Sequence, residues 1–118
     1  MKKLLLAITL MFASVGVFAD DFDQLVSMLK GTGAQQGWTV RANKERRIIF
    51  FEVKLDDNSD GITQEIFDAF KPAMVANFKK GAKEEGVAAI KQMGVTLYFT
   101  FITTDGKRFN IAITPQDL

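Results

Sequence analysis

The sequence has neither histidine nor cysteine among its 118 residues. This excludes Ser–His and Cys–His nucleophile pairs, because both depend on residues that are missing. Disulfides, thiol redox motifs and zinc sites built on nitrogen or sulfur are excluded for the same reason. Carboxylates, lysines, hydroxyls and a single tyrosine remain for chemistry. The composition therefore favours a protein that is not an enzyme, and it predicts no cofactor.

The N-terminal 19 residues have the three parts of a cleavable signal peptide. Lys2 and Lys3 supply positive charge, residues 4–12 are apolar, and Val17-Phe18-Ala19 fits the cleavage positions. Residues 4–19 are shorter than the roughly 20 apolar residues that a membrane-spanning helix needs. We therefore expect cleavage after Ala19 and export to the periplasm or the cell exterior, with no integral membrane segment afterwards.

Removal of residues 1–19 would leave one domain, residues 20–118. The loss of two lysines changes the formal net charge from +1 to −1, with 13 basic residues against 14 acidic ones. Such a balanced charge gives no electrostatic reason to expect nucleic acid or an anionic membrane as a partner.

Periodic patterns predict the elements of the first half of this domain. Residues 21–30 place apolar side chains on one helical face, and the glycine-containing residues 32–37 are expected to form a loop. Residues 38–42 and 48–55 alternate as strands do, and a tight turn at Asn43-Lys44 would join them into a hairpin.

The second half has the same two patterns. Apolar residues recur every four positions over residues 62–80, where Pro72 is expected to kink the helix or to start a second one. A further helical segment would end at Gly94. Residues 95–102 then alternate as a strand, and Asp105-Gly106 favours a two-residue hairpin turn with positive φ at both positions.

The order of elements after the signal peptide is thus α-β-β-α-α-β-β. Strands grouped in pairs around helices indicate an α+β fold rather than an alternating α/β fold. We expect a four-stranded, mainly antiparallel sheet with the helices on one face.

The C-terminal segment, residues 94–118, reads GVTLYFTFITTDGKRFNIAITPQDL. It resembles the C-terminal hairpin of small secreted or periplasmic bacterial domains of unknown function. In those domains an aromatic-rich strand, an Asp-Gly turn and a last strand end in Thr-Pro-x-Asp/Glu-Leu. The resemblance implies an envelope domain, and it brings no activity or site residue with it.

Two acidic features are candidates for chemistry. Glu52 lies inside a predicted strand and is the best single candidate for an acid, although the alternation places it on the solvated face. Residues 56–61, from Asp56 to Gly61, look like the first half of a calcium loop, but Phe67 stands where the bidentate glutamate belongs. The other interpretation is an Asx-rich turn in which Asp60 caps the following helix.

A second apolar face of the sheet is the strongest candidate for a binding surface. If the alternate side chains face the helices, then Ile48, Phe50, Tyr98 and Ile102 all lie on the opposite face. Antiparallel sheets with one wet face normally carry polar residues there. Either the helix of residues 21–30 covers this face or a partner binds it.

These patterns lead to three hypotheses from different classes. The first is a non-catalytic envelope domain that binds a protein or itself through the second sheet face. The second is a carrier that holds a small apolar or polymeric ligand between the helices and the sheet. The third is a carboxylate-based hydrolase, which would need two acids facing each other across a cleft.

Overall fold

Three helices and four strands make up residues 2–12 and 21–118, the part of the chain that the computed structural model describes. The helices are α1 (Lys2–Met11), α2 (Phe22–Gln35) and α3 (Gln64–Met93). The strands are β1 (Thr39–Asn43), β2 (Ile48–Lys54), β3 (Thr96–Ile102) and β4 (Arg108–Ile113). A short 3₁₀ turn, Pro115–Asp117, follows β4.

The sheet is mixed, with the strand order β1-β2-β3-β4. The two outer pairs are antiparallel hairpins, whereas β2 and β3 pair in parallel at the centre. The pairing is parallel because α3 carries the chain from the end of β2 back to the level where β2 began. The predicted α+β class and four strands are confirmed, and the mainly antiparallel description is corrected to a mixed sheet.

As predicted, the chain between β2 and β3 forms two helical segments, which follow one another within α3. Its backbone is interrupted at Lys83, where φ is 61° and ψ is −178°, and not at Pro72. Pro72 lies on an exposed side of the helix, so the carbonyl it leaves unpaired can bind water. The predicted end of the helix is confirmed, since Gly94 caps it in the left-handed conformation.

Helix α2 is longer than predicted. Asp21 caps its first turn, accepting a hydrogen bond from the backbone N–H of Gln24 at 2.7 Å. The helix continues to Gln35, so only residues 36–37 of the expected loop form a turn. Gly33 serves close packing here, because a Cβ added to it would lie 2.6 Å from Cγ2 of Val40. Gly33 is therefore a contact point with β1, whereas Gly37 lies in the turn after the helix with positive φ.

Both hairpins exist, but their turns differ from the predictions. The first turn spans residues 44–47, between the paired residues Asn43 and Ile48. In the second, the backbone N–H of Gly106 donates to the Thr103 carbonyl at 2.9 Å, and only Gly106 has positive φ. This is a three-residue loop with a glycine bulge, not the two-residue turn predicted from Asp105-Gly106.

The core lies between the helices and one face of the sheet, here called the inner face. Its side chains come from alternate positions of all four strands and are buried: Val40, Ile49, Phe51, Val53, Leu97, Phe99, Phe101, Phe109, Ile111 and Ile113. From α3, Phe67 stacks on Phe101 and on Phe109, with centroids 4.9 and 5.1 Å apart. Trp38, just before β1, is half-buried with its ring edge-on to Phe99.

One position of the predicted helical face is wrong. Ile66 was expected in the core with Met74 and Phe78, but it is 43% exposed, and its neighbour Phe67 is buried instead. A strict four-residue repeat drifts by about 40° per step around a helix of 3.6 residues per turn. The face that contains Met74 and Phe78 therefore includes Phe67, about two turns before Met74, and leaves Ile66 to one side.

Helix α1, inside the predicted signal peptide, packs against the rest of the chain. Ile8, Met11 and Phe12 are buried, and they belong to the same core as the sheet residues. The predicted cleavage positions, residues 17–19, lie outside the described residues. Within residues 2–12 and 21–118, no helix has both the length and the apolar content to span a membrane.

Candidate interaction surface

The four residues predicted to form a binding surface lie together on the face of the sheet opposite the helices. We call Ile48, Phe50, Tyr98 and Ile102 the outer face. Ile48 and Phe50 are alternate residues of β2, and Tyr98 and Ile102 belong to the adjacent strand β3. All four are half-buried, whereas the inner-face residues between them in sequence are buried. The alternation in the sequence predicted that these four side chains share one face of the sheet, and the strand register agrees.

Phe50 and Tyr98 form the centre of the outer face. They are direct neighbours across the parallel pair, and their rings meet edge to face with centroids 5.8 Å apart and planes at 63°. Such a pair contributes about 0.5–1.5 kcal/mol beyond its buried area. The two rings thus hold each other in place while one side of each remains open to solvent.

Charged and polar side chains surround this centre. Arg41 of β1 is the cross-strand neighbour of Phe50, and its Nη2 lies 3.8 Å from Oε1 of Glu52. Glu52 has Thr39 and Thr100 as its own cross-strand neighbours. The best single candidate for an acid therefore lies beside a guanidinium and two threonines. The rim carries both signs of charge.

The helices pack on the inner face of the sheet. Gly33 of α2 approaches Val40, Phe12 next to α1 touches Phe51, and Phe67 of α3 stacks on Phe101. The hypothesis that residues 21–30 cover the outer face as a third layer is wrong, because α2 lies on the other side.

The acidic loop of residues 56–61 is fastened to the second hairpin. The Asp57 carbonyl accepts a hydrogen bond from the backbone N–H of Thr104 at 2.9 Å. The Asn58 side chain accepts from the N–H of Asp60 at 2.9 Å, which is an Asx turn. Thr63, not Asp60, stands at the N-cap of α3. The turn half of that interpretation is confirmed, and the predicted cap at Asp60 is corrected.

Asp105 is the point at which this loop is held. Its carboxylate accepts hydrogen bonds from the hydroxyls of Ser59 and Thr103 and from the Ser59 backbone N–H at 3.0 Å. The Ser59 hydroxyl, followed by that of Thr103, lowers the pKa of Asp105 from 3.8 to about 2. These bonds stabilise the ionised form. In the described part of the chain, no cluster of three or more acidic residues is placed to hold a metal ion.

The groove that holds α1 was not foreseen from the sequence. Phe12 is in contact with Phe51 and Phe78, and Gly81 lies against the backbone of Thr9. The available signal was a pair of helix-interior glycines, Gly33 and Gly81, each of which destabilises a helix by about 1 kcal/mol relative to alanine. At these two positions the glycine accommodates a close neighbour, but Gly31, also inside α2, has open space around it, so interior glycines alone do not locate the groove.

Comparison of the chain with protein-family models, with curated proteins and with solved structures found no match. Functional inference therefore rests on the geometry of the outer face and of the α1 groove.

Proposed function

We propose that this chain is an exported, non-catalytic envelope domain that binds protein through its outer face, and that a second copy of the chain is the partner. The observation that carries the proposal is the Phe50–Tyr98 pair, two half-buried rings on a sheet face opposite all three helices. Large aromatic residues at the centre of a patch with a polar rim are typical of binding surfaces.

The rim charges favour a second copy. In a twofold dimer the same surface of both copies is in contact, so the partner of each charged residue must come from that surface itself. Both signs of charge are therefore needed around it. Arg41 and Glu52 supply both beside Phe50, and Lys54 and Arg108 flank Ile102. Two sheets can pack face to face at about 10 Å, a distance that interdigitated rings fill.

The absence of histidine and cysteine supports the non-catalytic part of the proposal. Export is supported by the N-terminal pattern of Lys2, Lys3 and the apolar residues that follow. A carrier is the second candidate. It is favoured by one observation, namely that the space between helices and sheet is filled in part by α1, a segment inside the proposed signal peptide.

Sedimentation of Phe50→Asp and Tyr98→Asp variants tests self-association. Each variant should be monomeric at concentrations where the wild type is dimeric, because burial of an unpaired carboxylate opposes the contact. Ala69→Asp is the matched control: it adds the same charge at an exposed position of α3, on the opposite side of the sheet from the outer face. It should sediment as the wild type does.

Circular dichroism must show that the variants remain folded. We expect them to fold because Phe50 and Tyr98 are only half-buried. A wild type that stays monomeric at millimolar concentration would overturn self-association. Equal sedimentation of both variants and the wild type would show that any dimer uses another surface.

A further inference from the structure

Helix α1 fills an apolar groove bounded by α2, α3 and the inner face of the sheet. The ring of Phe12 is edge-on to Phe78 at 4.7 Å and to Phe51 at 5.9 Å, measured between centroids. Ile8 and Met11 are as deeply buried as the centre of the sheet. If residues 1–19 are removed on export, the walls that these side chains cover become exposed.

The groove has the features of a site for a helix. A Cβ added at Gly81 would overlap the carbonyl oxygen of Thr9, so the two backbones touch without a side chain between them. The Thr9 hydroxyl donates to Oδ1 of Asn77 at 3.1 Å, and Nδ2 of Asn77 donates to the Ala73 carbonyl at 2.8 Å. An alkyl chain needs neither a notch for a backbone nor a polar partner beside it.

We propose that the exported domain binds an apolar α-helix of a partner protein in this groove, in the position that α1 occupies. The inference rests on the export step of the proposed function, and it concerns the opposite side of the sheet from the outer face. Helix-in-groove recognition depends on anchors that repeat at helical spacing.

The contacts of α1 define the helix that fits. The residue whose backbone touches Gly81 carries a hydroxyl that can donate to Asn77, as Thr9 does. Large apolar residues stand one position before it and two and three positions after it, as Ile8, Met11 and Phe12 do. Removal of α1 would otherwise leave aromatic walls in water, and exposed apolar patches of that kind mark sites of interaction.

The test uses protein processed by an exporting host from the full-length chain, with mass spectrometry to establish where it begins. A fluorescent peptide with the sequence of residues 2–12, KKLLLAITLMF, is the probe, and its anisotropy reports binding. We expect saturable binding that weakens by about tenfold or more when Phe12 of the peptide is replaced by aspartate.

The protein variants are Gly81→Leu and Gly31→Leu. Gly81→Leu fills the notch and should weaken peptide binding to a similar extent. Gly31 is exposed on α2 and has open space around it, so Gly31→Leu is the matched control and should bind as the wild type does. The peptide variant keeps the proposal falsifiable if Gly81→Leu does not fold.

Four outcomes would overturn the proposal. A folded, processed domain that binds both peptides equally has no helix site. A co-purified lipid, seen as bound mass by native mass spectrometry and displaced by neither peptide, would assign the groove to a carrier. A processed domain that cannot fold would make α1 an obligatory part of the core. A chain that still begins at Met1 would remove the export step itself, while self-association through the outer face could still be measured.

Discussion

The side-chain amide of Gln64 forms two hydrogen bonds with the backbone of Asn110. Nε2 donates to the Asn110 carbonyl at 2.7 Å, and the Asn110 N–H donates to Oε1 at 3.0 Å. Because β4 is an edge strand, these backbone groups would otherwise be open to pairing with another strand. Gln64, the first residue of α3, takes the place of one residue of a neighbouring strand and ties the helix to the sheet edge.

Gln64→Ala should lower the free energy of unfolding by about 1 kcal/mol, because the two hydrogen bonds with Asn110 and a third with the Asp68 carboxylate, all solvent-exposed, are lost. It should also speed aggregation, since the edge of β4 is unblocked. Gln64→Glu is the control, because it keeps the acceptor for the Asn110 N–H and loses the donor. In urea titration, the unfolding midpoint of Gln64→Glu should lie between those of the wild type and Gln64→Ala. Equal midpoints for all three would contradict the role of this pair.

The parallel centre of the sheet could not be predicted from local patterns. The alternation in residues 48–55 and 95–102 gives each strand and its two faces, because it follows from the pleat of one strand. Whether β2 and β3 run parallel depends on the length and path of α3. The alternation of apolar residues within each strand contains no information about that path. Gly33 of α2 suggested a loop for a similar reason: its close neighbour, Val40, is contributed by another element.

Asp105→Asn should destabilise the fold at neutral pH, because the carboxylate is the shared acceptor for the Ser59 and Thr103 hydroxyls. The folded-state pKa of Asp105 is about 2, below its usual 3.8. A lowered pKa means that the stabilisation is complete above 3.8 and is lost as pH falls through about 2. The difference in unfolding free energy between wild type and variant should therefore shrink across that interval.

Denaturant titrations at several pH values measure this difference. Asp56→Asn is the control, since Asp56 is an exposed carboxylate of the same loop. A gap between wild type and Asp105→Asn that stays constant down to pH 2 would show that the carboxylate is not the stabilising group.

Phe67→Ala should cost about 3–5 kcal/mol of stability, the usual range for removing a buried phenylalanine. The ring stacks on both Phe101 and Phe109, so its loss opens a cavity between α3 and two strands. Ile66→Ala, one residue earlier, should cost less than about 1 kcal/mol because Ile66 is exposed. Equal losses in urea unfolding would mean that α3 is rotated relative to the sheet.

The two candidate surfaces differ in how far the sequence could reveal them. The outer face follows from strand alternation, so Phe50 and Tyr98 were identifiable together, although their 5.8 Å pairing required the parallel register. The groove was hidden because the same apolar residues, Ile8, Met11 and Phe12, satisfy both a signal peptide and a core helix. Hydrophobicity alone does not distinguish a signal peptide from a core helix.

Calcium should leave the melting temperature unchanged. The Asp105 carboxylate is already engaged by Ser59 and Thr103, and the Asn58 side-chain oxygen accepts from the Asp60 N–H. A calcium site needs six to eight oxygen ligands, which the half-motif of residues 56–61 does not bring together. Thermal unfolding with millimolar calcium and then with a chelator measures the effect. A rise reversed by the chelator would restore the calcium hypothesis.

Lys83→Gly should stabilise the protein, although glycine inside a helix usually does the opposite. Lys83 interrupts α3 with φ of 61° and ψ of −178°, a conformation that costs a residue with a Cβ about 1–3 kcal/mol. Glycine adopts it without strain, so the variant should unfold at higher urea concentration than the wild type. Lys80→Gly is the matched control, since Lys80 is exposed and helical, and it should lose about 1 kcal/mol. If both variants are destabilised alike, the interruption at Lys83 is absent in solution and α3 continues as a regular helix.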